Sequence, residues 1–193
     1  MSKMSDFDAM LKDVGSPREL TQLYEKYGAG AVIDKTATQS HPYSAVEQLQ
    51  YCSGACIFVT SYFTGSMSFS AKAVQATNMT TSLGPGGGFV QSFLQAFKSK
   101  TNRIAYVVTA AGVAHEFTLV KEGSAYALYQ ANIATEPKFT LAPALNGGKD
   151  YNLHLSESQF ADLIAKLTNR SESNKIFPNN NDCDTYKACL GEF

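Results

Sequence analysis

Cys52 stands at the mouth of "QYCSGACIFVTSYFTG", an apolar run over residues 50–65 that contains no charge, and Cys56 follows four residues later. A thiol attacks a carbonyl only as thiolate. The partial positive charge of a helix N-terminus and a neighbouring imidazolium are the two simplest means of lowering its pKa. His115, in "VAHEFTLV", is the matching base. The next apolar run, "AYALYQANI", supplies Gln130 and Asn132, amides able to accept a hydrogen bond from an imidazole N–H and so fix its tautomer. The chemistry such a set performs is acyl transfer. Each residue also has a plain structural reading: a cysteine in an apolar helix packs as a small hydrophobe, a histidine in a strand is satisfied within a core, and a glutamine bonds a loop. His41 and His154, in polar surroundings, read as surface residues.

These residues need elements to hold them. Cys56, Val59 and Phe63 follow Cys52 at helical intervals, so a helix is expected to begin at Cys52 with Cys56 one turn deeper. Before it, residues 3–14 place Met4, Phe7, Met10, Leu11 and Val14 at helical spacing. A second helix is expected after Ser16 and Pro17, then a polar connector, "TATQSHPY", and a short helix or turn at 44–50. The glycines of "TTSLGPGGG" argue for a loop there, and that loop lacks the pattern of a phosphate cradle. Phe89, Phe93, Leu94 and Phe97 then recur at helical spacing over residues 88–99.

The period changes in the second half. "RIAYVVTA", "VAHEFTLV", "AYALYQANI" and "KFTLAPA" read as strands separated by short breaks, which suits an antiparallel meander. Alternation puts Val113, His115, Phe117 and Leu119 on one face and Ala114, Glu116, Thr118 and Val120 on the other. The first set is expected to lie under the Cys52 helix, which leaves Glu116 outside the site. A last helix, capped by Ser156, carries Phe160, Leu163, Ile164 and Leu167 on one side. The layout is α+β: one catalytic domain over 1–170, of which 1–43 is helical, followed by an irregular polar tail over 171–193. Cys183 and Cys189 in that tail fit either a small disulfide loop or two thiols.

The order of a helix-borne cysteine, a later histidine strand and an amide or acid on the next strand resembles that of papain-like cysteine peptidases. "CSGACIFVTSYFTG" resembles the Cys box of the bacteriocin-processing branch. "HEFTLVKEGSAYALYQAN" is similar to the His box of that branch and of YopT-type bacterial effectors. The resemblance covers residues 46–65 and 113–132. It implies a papain-like fold in which a helix N-terminus carrying the nucleophile packs on an antiparallel sheet. Carried over, Cys52 is the nucleophile, His115 the base and Gln130 the orienting residue. Gln48 or Gln50, with the Cys52 backbone N–H, would bind the oxyanion. Gln130 and Ala131 stand where the family has Asp-Pro, and Ser53 where it has Gly. Gln50 lies six before Cys56, the papain spacing, and "GAC" resembles papain's own motif, so Cys56 rivals Cys52, and Asn132 rivals Gln130.

Composition limits the partners. The chain has 193 residues with Lys+Arg 16 against Asp+Glu 17, a net charge of −1, and no basic stripe to neutralise phosphates, so nucleic acid is set aside. The polar start lacks a secretory signal, and no apolar run reaches the roughly 18–20 residues that span a bilayer. A protein cytoplasmic as made, without stable membrane insertion, is expected; export by a specialised secretion system stays open. No cofactor or metal is called for, since the cysteine spacings match no zinc motif. The expected function is a cysteine hydrolase, peptidase or deamidase, acting on a protein or peptide. The resemblance implies an effector or toxin working in another cell, with a cognate inhibitor or immunity protein. Two alternatives are a peptidoglycan amide hydrolase and a non-enzymatic adaptor using Phe89, Phe93, Phe97 and Tyr106 as a partner surface.

Overall fold

The structure, a computed structural model, describes residues 2–13, 22, 26, 52–66, 68–69, 81–83, 87–109, 116–130, 153–169, 171–172 and 186–193. Helices α1 (Lys3–Asp13), α2 (Cys52–Thr64), α3 (Gly87–Lys98) and α4 (Glu157–Leu167) accompany strands β1 (Thr81–Leu83), β2 (Asn102–Thr109), β3 (Glu116–Glu122), β4 (Ala125–Tyr129), β5 (Leu153–Leu155) and β6 (Tyr186–Glu192). The strands form one antiparallel sheet in the order β1-β6-β2-β3-β4-β5. The chain is α+β, and β2, β3 and β4 make the expected meander. The tight turn between β3 and β4 needs a left-handed residue, which Gly123 provides at φ +60.

Helices cover both faces. On one, α3 and α4 present Val90, Phe93, Leu94, Phe97, Phe160, Leu163, Ile164 and Leu167 to Ala105, Val107, Phe117, Leu119, Tyr126, Leu128, Tyr186 and Ala188. Both helices are amphipathic, with apolar residues at three- and four-residue intervals. The Ser156 side chain accepts from the Gln159 N–H while the Gln159 side chain accepts from the Ser156 N–H, a capping box that starts α4 where its apolar stripe begins. On the other face α1 and α2 cover Ile104, Tyr106, Val120, Ala127, Tyr129 and Cys189. Residues 56–61 of α2 are all buried, as befits a helix apolar on every side. Thr60 tolerates this because its hydroxyl donates to the carbonyls of Cys56 (2.7 Å) and Ile57 (3.2 Å).

Three expectations are corrected. Thr81–Leu83 of "TTSLGPGGG" is a strand paired with β6, ahead of the glycines on which the loop expectation rested, and Gly87 and Gly88 open α3. Within the supposedly irregular tail, Tyr186–Glu192 is a strand lodged between β1 and β2. Gly191 there admits the Phe69 ring, which a Cβ would approach to 2.7 Å. The third concerns β3. Phe117 and Leu119, expected together with Val113 and His115 on the face under the Cys52 helix, lie under α3 and α4, whereas α2 packs against the face of Val120. The strand is buried on both sides, so alternation alone does not say which helix takes which face. The second expected helix, the connector, the 44–50 segment and "KFTLAPA" lie outside the described residues. Among those described, no helix is long and apolar enough to cross a membrane.

Candidate functional site

The α2 helix packs against β3 and β2, and polar contacts fix the position of its last turn. Lys3 Nζ donates to the Phe63 carbonyl at 2.9 Å, while the Lys3 and Met4 backbone N–H groups donate to the Glu122 carboxylate at 2.9 and 3.0 Å. The C-terminus of α2 is therefore at the Glu122 end of β3. β3 starts at Glu116, just after His115, and β4 finishes at Tyr129, whose ring lies 5.8 Å from that of Phe63 in the last turn of α2. Gln130 follows β4 directly and is 1% exposed. Of the chain points that the expected chemistry needs, the start of the strand after His115 and the end of the strand before Gln130 lie at the same end of the sheet, Thr118 pairing with Tyr129.

The helix expected to begin at Cys52 does begin there, which puts the Cys52 backbone among the N–H groups that a helix N-terminus leaves without a partner inside the helix. Cys56 is 1% exposed and packed in the aromatic cluster of α1, α2 and the sheet, a setting for a packing residue rather than a thiol met by substrate. Cys189 is likewise buried and neither it nor Cys56 is in a disulfide. His115, Asn132, Gln48, Gln50, His41 and Cys183 lie outside the described residues, as does the Cys52 side chain. His154 is in β5 and half-exposed, its Nε2 2.7 Å from Asp8 Oδ2. Phe93, Phe97 and Tyr106 are fully buried and so form no partner surface.

Glu116, set aside on the alternation argument, belongs to the face that α2 covers. Its Oε2 accepts a hydrogen bond from the Tyr106 hydroxyl at 2.8 Å. Burial pushes its carboxyl up to about 6, against the opposing pull of that hydrogen bond. Two residues along the same face, the Thr118 hydroxyl is buried with no hydrogen-bond partner among the described residues. An acid opening the strand ahead of Phe117, Leu119 and Val120 was the available sequence signal for this polar group. Among the described residues no cluster of three or more His, Cys, Asp or Glu side chains suits a metal ion. No protein-family model, curated protein or solved structure matches the chain.

Proposed function

We propose that this protein is a cysteine-dependent amide hydrolase, a peptidase or protein deamidase on a papain-like arrangement, with Cys52 as nucleophile, His115 as base and Gln130 as the residue that orients it. The observations that support the reading are a helix that begins at Cys52 and packs on β3, and the pairing of β3, which follows His115, with β4, which precedes Gln130. His115 takes the Cys52 proton as sulfur attacks the carbonyl carbon. The Cys52 N–H, with Gln48 or Gln50, stabilises the oxyanion. Collapse of the tetrahedral intermediate breaks the C–N bond, and His115 passes its proton to the departing amine or ammonia. Water then attacks the thioester with His115 as base, releasing the carboxylic acid and the thiol. The substrate class is a protein or peptide amide, and the role of effector or toxin in another cell, met there by an inhibitor, follows the resemblance of the two boxes.

Alkylation tests the reading. With iodoacetamide at pH 7 and each cysteine quantified by peptide mapping, Cys52 reacts at least tenfold faster than Cys183 and the buried Cys189, and His115→Ala removes the difference. Uniformly slow labelling overturns the hydrolase. Fast labelling of Cys56 instead overturns the Cys52 assignment.

A further inference from the structure

Helix α1 is fastened to the sheet at two polar points, and they differ in how they answer pH. At its N-terminus, Glu122 of β3 accepts from two backbone N–H groups, at 2.9 and 3.0 Å. Neither donor titrates, and a carboxylate there suits the helix dipole. One turn on, Asp8 Oδ2 lies 2.7 Å from His154 Nε2, and Asp8 Oδ1 accepts the Tyr129 hydroxyl at 3.1 Å. Between the two clasps Phe7 is fully buried, its ring centroid 5.6 Å from Phe58, 4.9 Å from Tyr62, 5.5 Å from Phe63 and 5.2 Å from Tyr129. His154 itself is 49% exposed in its side chain and exchanges protons with water, while Asp8 is at 19%.

We infer that Asp8, Tyr129 and His154 form a pH-dependent latch on α1, tight when His154 is protonated and looser when it is neutral. The protonated imidazole makes an ion pair with Asp8; the neutral ring offers only a hydrogen bond. Among the described residues, the charged group acting on His154 is Asp8 of α1. From β4, Tyr129 faces it with its ring at 6.4 Å, edge-on. Burial first, then Asp8, holds the Tyr129 hydroxyl well above its ordinary range, and Glu122 and Tyr62 act on that hydroxyl in the same direction. The latch therefore keeps its phenolic donor throughout the working range. On the opposite face of β5, α4 directs Glu157 to Lys98 and pairs Asp162 with Lys166. The Asp8 hydrogen bond raises the His154 pKa above its ordinary 6.5, with burial opposing. A raised folded-state value means that the stabilisation is complete below 6.5 and is lost as pH rises through the folded value. The inference is independent of the hydrolase chemistry proposed above.

Hydrogen exchange on the full chain from pH 5.5 to 8.5, corrected for intrinsic rates, tests the latch. Protection of α1 relative to α4 falls roughly two- to fivefold across that range, the size expected of a partly exposed ion pair. In His154→Gln and in Asp8→Asn the α1 profile is flat. Glu122→Gln lowers α1 protection at every pH and keeps the slope. A flat wild-type profile, or a slope that survives His154→Gln, overturns the inference. NMR titration of the His154 ring gives a second reading: its pKa falls in Asp8→Asn, and an unchanged value there also overturns the latch.

Discussion

The sheet face under α3 and α4 and the face under α1 and α2 are both shut away from water, but they are filled with different chemistry. Beneath α3 and α4 the packing is apolar, and its aromatic rings stack in sequence: Tyr126 on Phe160 at 4.7 Å, Phe160 on Phe97 at 5.0 Å, Phe97 on Phe93 at 5.6 Å. Beneath α1 and α2, apolar packing is interleaved with the Cys56 and Cys189 thiols, the Thr118 hydroxyl and the Tyr106–Glu116 hydrogen bond. Burying a carboxyl or an unanswered hydroxyl costs free energy, while burying rings contributes it. The first face thus stabilises the fold, and the second gives up some of that stability to keep polar groups beside the cysteine helix.

That contrast is open to attack by substitution. Phe160→Ala removes the ring at the middle of the aromatic stack and lowers unfolding free energy by about 3–5 kcal/mol in denaturant titration. A loss under about 1 kcal/mol would abolish the distinction between the faces. Glu116→Gln should act in the opposite direction. The folded-state carboxyl titrates near 6 against an ordinary 4.5, so ionising it costs more in the folded chain than in the unfolded one. This penalty is absent below pH 4.5, grows through 6 and is constant above, so the variant gains about 2 kcal/mol at pH 7.5 and nothing at pH 4. A gain of the same size at both pH values would mean that the effect is packing, not charge. Thr118→Val replaces the buried hydroxyl with a methyl of similar shape and stabilises by about 1 kcal/mol in the same titration. A loss would show that the hydroxyl has an indispensable role.

The regions easiest to read from the sequence were those in which one local rule suffices. For α4, the Ser156 cap and the spacing of Phe160, Leu163, Ile164 and Leu167 specify both the start of the helix and its buried side. The meander was legible because short breaks separate β-branched and aromatic runs, and the start of α2 because Cys52 opens an uninterrupted apolar segment. What stayed hidden depends on remote partners. "EFTLVKE" is buried on both faces, so its alternation carries no record of which helix lies over Glu116 and which over Phe117. β6 sends a weak signal, since Ala188, Cys189 and Gly191 are small and Lys187 is exposed. Its central place comes from pairing Tyr106 with Cys189 and Ser82 with Lys187, contacts across many residues of chain. For the candidate site, the sequence identified the cysteine helix and the paired strands β3 and β4, but put the Phe117 face rather than the Glu116 face under that helix.

The position of β6 also sets a timetable for folding. During synthesis β2, β3 and β4 emerge one after another and can zip together locally, but β1 borders only β6 within the described sheet. Thr81–Leu83 must wait for Tyr186–Glu192, about a hundred residues later, before its pairing exists. Until then the edge of β2 that β6 will occupy is open, and a growing chain exposes Ile104 through Val108 along a strand edge suited to pairing with other chains. Assembly of this sheet is therefore intrinsically late, and its vulnerable interval ends only when the strand at residues 186–192 leaves the ribosome.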